Sequence, residues 1–209
     1  MAEGENLDTE WVTAMATIEP AGTERTVLPG KPPFTVDDLL GFPDDGNRYE
    51  LLNGSLLVSP APTPLHQRII YRLQRLLDDA APPGLEPLAT VNLRVTDSNF
   101  YIPDLVVVRA EAASNVELMF APRHLLLAVE VGSPSTTTHD QSIKPFAYAR
   151  AGIPHYWRIE PDEGPALYTY RLDGDGYGEP AIHKAGTVAH LTAPFPLAFD
   201  PVVLSAEHR

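Results

Sequence analysis

The chain has 209 residues, no cysteine and a formal net charge of −13 at pH 7. The length suits one domain with a tail, and the missing cysteine excludes a disulfide framework and a thiolate zinc site. No apolar run approaches the roughly 20 residues of a membrane helix, and the acidic start is unlike a signal peptide, so we expect a cytoplasmic protein. The acidic balance argues against tight nonspecific binding of nucleic acid, which needs Lys and Arg, but it does not decide whether a site exists.

The amino-terminal region differs in character from the rest. It is acid-rich, lacks periodicity and ends in a Pro-Gly-Lys-Pro-Pro run. This pattern predicts a disordered leader over residues 1–33 and a single domain over 34–209. Thr35 with Asp38 three residues later is typical of a helix start, so a short helix is predicted directly after the leader.

A hairpin and a helix follow. The dipeptide Asn53-Gly54 between two apolar runs predicts a two-residue turn and a β-hairpin over 47–59. Apolar residues at helical spacing then predict a helix over 65–80. Its other face carries Arg68, Arg72 and Arg75, which we interpret as a solvated face, with a phosphate-facing stripe as the alternative. His66 at the helix start is interpreted as a cap or surface residue.

The remaining elements alternate between strands and one helix. Apolar runs predict strands over 86–95, 100–109, 125–131 and 155–159, and three short antiparallel runs over 166–190. A helix is predicted after residue 139, ending at the glycine cap Gly152. Because Pro145 follows Lys144, that helix either begins there or kinks there. This order implies an α/β fold with a mixed sheet and an antiparallel carboxy-terminal extension.

Two of these strands carry one carboxylate each among aliphatic residues. Asp104 lies in YIPDLVVV (101–108), and Glu130 lies in LAVEVG (127–132). Burying an ionised carboxylate without a partner is very costly, so each must meet a cation, a shared proton or a basic side chain.

A third acid and a lysine complete the predicted site. We predict an all-oxygen pocket suited to Mg²⁺ or Mn²⁺, formed by the carboxylates of Asp104 and Glu130. Glu50 on the hairpin and the backbone carbonyl of Val131 would add further oxygens. Lys144 is predicted beside it, where an ammonium would act on the attacking water or on phosphate charge.

Each of these side chains also has a simpler interpretation. Asp104 would otherwise be a turn acid, and Glu130 would pair with a core arginine. Glu50 would pair with Arg48 or an arginine of the 65–80 helix. Lys144 would be a solvated helix lysine, paired with the acid four residues earlier.

The separated motifs RYELLNGSLLVSPAP (48–62), YIPDLVVV (101–108), LAVEVGSPS (127–135) and KPFAYARAGIPHYW (144–157) resemble the Uma2 family of restriction-endonuclease-like proteins. The Uma2 family lies within the PD-(D/E)XK nuclease superfamily, so the resemblance implies a restriction-endonuclease-like mixed central sheet flanked by helices. By this resemblance Asp104 is the "PD" aspartate, Glu130 the second acid and Glu50 the upstream acid. The superfamily's lysine usually follows the second acid by two residues, where this chain has Gly132. The resemblance implies that Lys144, on the following helix, takes the place of that lysine.

The resemblance implies a function, and two others stay open. Metal-dependent endonucleolytic hydrolysis of phosphodiester bonds in DNA is the first hypothesis. A catalytically silent nuclease-fold module that binds nucleic acid or protein is the alternative, and hydrolysis of another phosphodiester is a third. The resemblance and the uncovered strand edges also favour a homodimer.

Overall fold

The computed structural model describes residues 29–59, 61–133, 143–162 and 164–206. The helices are α1 (Val36–Leu39), α2 (Pro64–Ala80), α3 (Ala110–Asn115), α4 (Lys144–Arg150) and α5 (Val202–Ser205), with a 3₁₀ turn at Pro122–His124. The strands are β1 (Arg48–Leu52), β2 (Ser55–Ser59), β3 (Leu85–Ala89), β4 (Leu93–Thr96), β5 (Asn99–Tyr101), β6 (Leu105–Arg109), β7 (Leu125–Val131), β8 (His155–Glu160), β9 (Ala166–Asp173), β10 (Gly176–Tyr177), β11 (Ala181–Lys184), β12 (Ala189–Leu191) and β13 (Leu197–Phe199). Within the described ranges, no helix is long and apolar enough to cross a membrane.

The central sheet is mixed, as the sequence predicts. In the described part of the chain it has seven strands in the order β10-β9-β8-β7-β6-β3, with β11 beside β9. β7 and β8 run parallel, whereas the other neighbours run antiparallel. β9, β10 and β11 are therefore the predicted antiparallel extension of this sheet, and β12 and β13 form a separate two-stranded antiparallel sheet.

Both faces of this sheet are covered. Val107 of β6 and Val129 of β7 pack against α2, in a core cluster that includes Ile69 and Leu73. The neighbouring residues Val106 and Ala128 face the other side and pack with Tyr148 of α4, among others. Burial on both faces explains why these strands are continuous apolar runs rather than alternating ones.

A smaller sheet has the order β2-β1-β5-β4, and it corrects two strand predictions. The predicted strand 86–95 is two strands in different sheets, because Thr90 between them has a positive φ of 57°. The predicted strand 100–109 is also divided, at Ile102-Pro103-Asp104. Proline has no N–H to donate to a ladder, so the chain leaves one sheet there and enters the other.

Helix starts follow the predicted signals. Thr35 and Asp38 form a capping box at α1, and Thr63 caps α2. Pro145 lies in the first turn of α4 as the structure describes it, and Ile143 before it is also in the αR conformation. Residues 134–142 lie outside the described residues, so whether this helix begins at Pro145 or kinks there stays a prediction. The predicted helix after residue 139 is described only from 143 onward. Of the leader predicted over 1–33, only 29–33 belongs to the described residues, so that boundary stays a prediction.

Candidate active site

A cavity of about 360 Å³ lies where the two sheets approach the starts of α2 and α4. Polar side chains from several separate segments line it. Among them are Arg48, Glu50, His66, Asp104, Glu130 and Lys144.

Asp104 and Glu130 face the cavity together because of the strand register. β6 and β7 are antiparallel with Leu105 opposite Val129, which places Asp104 opposite Glu130 one step along. Directly opposed residues share a face of the sheet. The carbonyl of Asp104 also accepts a hydrogen bond from the N–H of Thr90, at 3.1 Å, which fixes the backbone at the bend between the sheets.

The Asp104 carboxylate has a partner on each oxygen. Oδ2 accepts a hydrogen bond from the Val131 N–H at 2.9 Å and lies 3.2 Å from His66 Nε2. Oδ1 lies 3.5 Å from Arg48 Nη1. Burial by itself raises the pKa of Asp104, but the hydrogen bond and charge of His66, the charge of Lys144 and the Val131 N–H together hold the pKa below its ordinary 3.8. Asp104 is therefore a carboxylate at neutral pH.

Glu130 is held by two residues of α4. Its Oε2 lies 3.0 Å from Lys144 Nζ, and its Oε1 accepts a 2.7 Å hydrogen bond from the Tyr148 hydroxyl. Residues four apart share a helix face, so Lys144 and Tyr148 reach the same carboxylate. Burial, followed by the nearby charge of Glu130, raises the pKa of Tyr148 well above its ordinary value, so the hydroxyl remains a donor.

Glu50 reaches the cavity from the small sheet. Its Oε1 accepts a 2.7 Å hydrogen bond from the N–H of Ile102 and lies 3.3 Å from Lys144 Nζ. The Lys144 ammonium therefore lies between Glu50 and Glu130. All four charged side chains are buried: Glu50, Asp104 and Lys144 are each 5% exposed and Glu130 is 2% exposed.

The structure thus brings the four predicted side chains together, while their roles stay predictions. Val131 also lines the cavity. Two of the simpler interpretations do not hold, because Lys144 is buried rather than solvated and Arg48 contacts Asp104 instead of Glu50. Glu130 has Lys144 as one of its partners.

Three participants lie outside the predicted set of acids and lysine. His66 is predicted as a cap or surface residue and Arg48 as a partner of Glu50, and no role in the site is predicted for Tyr148. Tyr148 had a signal, since it follows Lys144 by four residues on one helix face. The contacts of His66 and Arg48 depend on how α2 and β1 dock, which the local pattern does not contain. Arg72 is not a free member of a phosphate-facing arginine stripe, because its guanidinium donates a hydrogen bond to the carbonyl of Val203 at 2.9 Å.

The oxygen atoms of this cavity can be compared with those that Mg²⁺ or Mn²⁺, the predicted cation, needs as ligands. Among the described residues there is no group of three or more His, Asp or Glu side chains placed to hold a metal ion. A cation here would therefore bind through at most two carboxylates, completed by backbone oxygen and water. Proteins commonly hold Mg²⁺ in this way. The oxygen chemistry and the excess of buried carboxylates fit a hard cation.

Comparisons with known proteins bear on this site. The Uma2 family model, described as "Putative restriction endonuclease", matches residues 36–206. The chain belongs to the Uma2 family. It is similar to a solved structure from Anabaena variabilis, titled a "putative nuclease" of DUF820, with a TM-score of 0.64 and 19% identity over 77% of this chain and 89% of that one. At this identity the likeness shows the fold, which confirms the predicted fold class. Comparison with curated proteins finds no match.

Proposed function

We propose that this Uma2 protein is a divalent-cation-dependent nuclease that hydrolyses phosphodiester bonds in DNA, with Mg²⁺ or Mn²⁺ as cofactor. The observation that carries the proposal is that buried Asp104, directly before β6, and buried Glu130, on the neighbouring β7, line one cavity with Lys144. Carboxylates are rarely buried together without a pairing or functional reason.

In this proposal the acids hold the cation. Asp104 and Glu130 are the ligands, the Val131 carbonyl adds an oxygen, and Glu50 supports the site. When bound, the cation activates water as a nucleophile and stabilises the charge that develops on phosphate oxygens.

The basic residues of the cavity compensate the negative charge of its carboxylates and of a bound phosphate. Lys144, at 3.0 Å from Glu130, keeps two carboxylates close together in the unloaded protein. It would then stand beside the attacking water or the phosphate. Arg48 is 24% exposed and contacts Asp104 at 3.5 Å, so it is the side chain best placed to meet a phosphate entering the cavity.

Cleavage of supercoiled plasmid by the purified full chain tests the proposal. We expect nicking in Mn²⁺ or Mg²⁺ that EDTA stops, and that Asp104→Ala and Glu130→Ala each abolish. Asp97→Ala is the matched control, because this acid does not line the cavity and its side chain is 85% exposed. Nicking that survives either cavity variant would refute the site assignment.

The catalytically silent module is the second candidate, and the charge of −13 favours it because phosphate binding needs basic residues. Calorimetric titration with Mn²⁺ separates the two. A silent module would show no cation binding at neutral pH, whereas the proposed nuclease would show binding that Asp104→Ala removes.

A further inference from the structure

His66 approaches the proposed cation site from α2. It lies in the first turn of that helix, where its backbone N–H donates to the hydroxyl oxygen of Thr63 at 3.2 Å. Its side chain is 11% exposed, and its ring reaches Asp104. The helix is anchored in the core by Ile69, Ile70, Leu73 and Leu77, so the ring is held at a fixed place.

The two oxygens of Asp104 have different surroundings. Oδ2 receives the Val131 N–H at 2.9 Å and lies 3.2 Å from His66 Nε2, which is hydrogen-bond distance. Oδ1 has Arg48 Nη1 at 3.5 Å, which is too long for a good hydrogen bond. A carboxylate held by two donors at one oxygen cannot rotate without breaking both contacts. Oδ1 is therefore the oxygen that can change its partner.

The other nitrogen of the imidazole shows which contact the ring serves. His66 Nδ1 is buried and has no hydrogen-bond partner among the described residues. Leaving a buried polar atom unpaired costs free energy, so the ring is not placed there to satisfy both nitrogens. Its polar contact with the site runs through Nε2.

We propose that His66 is a positioning residue for the cation: its Nε2–H donates to Asp104 Oδ2 and so presents Oδ1 as the ligand. The inference rests on the proposed function, because it concerns the affinity of the same site. Donors that orient a ligating group from behind typically change metal affinity about 10- to 100-fold when they are removed.

Calorimetric titration of the full chain with Mn²⁺ tests this, with a thermal melt for each variant. We expect His66→Ala to bind Mn²⁺ about 10- to 100-fold more weakly. His66→Gln should regain most of the affinity, because its amide keeps a donor near the position of Nε2. Ile70→Val is the matched control on the same helix: it should lower the melting temperature and leave the affinity unchanged.

The possible outcomes separate this inference from the proposed function. A folded His66→Ala protein that binds Mn²⁺ as tightly as the wild type overturns the positioning role alone. A Gln variant as weak as the Ala variant also overturns it, because the donor would then not be the active feature. A wild-type protein that binds no Mn²⁺ overturns both proposals. If the Ala variant does not fold, His66→Leu, which is closer in volume and has no donor, replaces it in the same comparison.

Discussion

Lys144 shows at the scale of a single residue how this site is stabilised. Its ammonium lies 3.3 Å from Glu50 and 3.0 Å from Glu130, and all three side chains are buried. Bringing such charges out of water is costly, and the cost is recovered only while the partners remain together. The folded protein therefore depends on this lysine independently of any catalytic role.

Replacing Lys144 by Met should destabilise the protein strongly. The change leaves Glu50 and Glu130 close together without their shared countercharge, and we expect a loss of about 3–5 kcal/mol in the free energy of unfolding. Urea denaturation measures it, and added Mn²⁺ should restore part of the loss, since a ligand that binds only the folded state stabilises it. A variant as stable as the wild type would show that the ammonium does not compensate these acids.

Tyr148 should matter for its hydroxyl as well as for its ring. Tyr148→Phe keeps the packing but removes the donor to Glu130, and hydrogen bonds to charged groups contribute about 1.5–3 kcal/mol. Tyr101→Phe is the matched control, since Tyr101 is equally buried but donates to the neutral amide of Asn99. We expect the control to lose only about 0.5–1.5 kcal/mol in the same urea experiment. Equal losses would mean that Glu130 does not use this donor.

The lowered pKa of Asp104 predicts a pH dependence of stability. A carboxyl whose pKa is depressed by folding contributes stability that is complete above its unfolded value and is lost as pH falls through the lower folded value. With an ordinary value of 3.8, the contribution should persist down to that pH and disappear below it. Measured from about pH 6 to pH 3, the stability difference between wild type and Asp104→Asn should shrink only at the acid end. A stability difference that stays constant over this pH range would contradict the lowered pKa of Asp104.

At the scale of elements, the turn between β1 and β2 supports the strand that carries Glu50. Gly54 has a φ of +77°, and a Cβ added there would lie 2.6 Å from Pro33 Cβ. Its carbonyl also accepts the N–H of Phe34, at 2.8 Å. The residues just before α1 therefore pack directly against the hairpin tip.

Gly54→Ala should be more harmful than a glycine replacement in an open turn. Gly174 is the matched control, because its φ is +60° but an added Cβ there would meet nothing within 4 Å. The control reports the backbone cost alone, about 1–2 kcal/mol, and the clash at Gly54 should add about 1–3 kcal/mol. Thermal or urea unfolding of both variants measures the difference. Equal losses of stability in the two variants would show that Pro33 can move away from the added Cβ at no cost in free energy.

The elements also show what the sequence could predict. The hairpin, α2 and β7 were predicted because turn chemistry and periodicity are local signals. The division of the chain at Pro103 was missed, because the apolar run 100–109 continues through it and sheet membership depends on distant partners. Dependence on distant partners also limits what could be predicted of the site. The carboxylates could be predicted because they are charges within apolar strands. The contact of His66 with Asp104 could not, because it forms only when α2 packs against the bend that carries Asp104.

At the scale of the whole molecule, net charge sets how a nucleic acid can be engaged. A chain of −13 repels phosphate at long range, so the proposed nuclease would gain its affinity for nucleic acid from the cavity and a bound cation rather than from a basic surface. Cleavage of DNA is therefore expected to need divalent cations for binding as well as for chemistry. The predicted homodimer stays a prediction, which light scattering on the full chain would test.

Anomalous diffraction from a crystal soaked in Mn²⁺ locates the ion directly and bears on everything proposed for this cavity. We expect one strong peak in contact with carboxylate oxygens of both Asp104 and Glu130, at Mn–O distances close to the roughly 2.0–2.2 Å of small hard cations. The peak should vanish in Glu130→Gln crystals. A peak that contacts neither carboxylate, or a cavity that stays empty at millimolar Mn²⁺, would contradict a cation-dependent site.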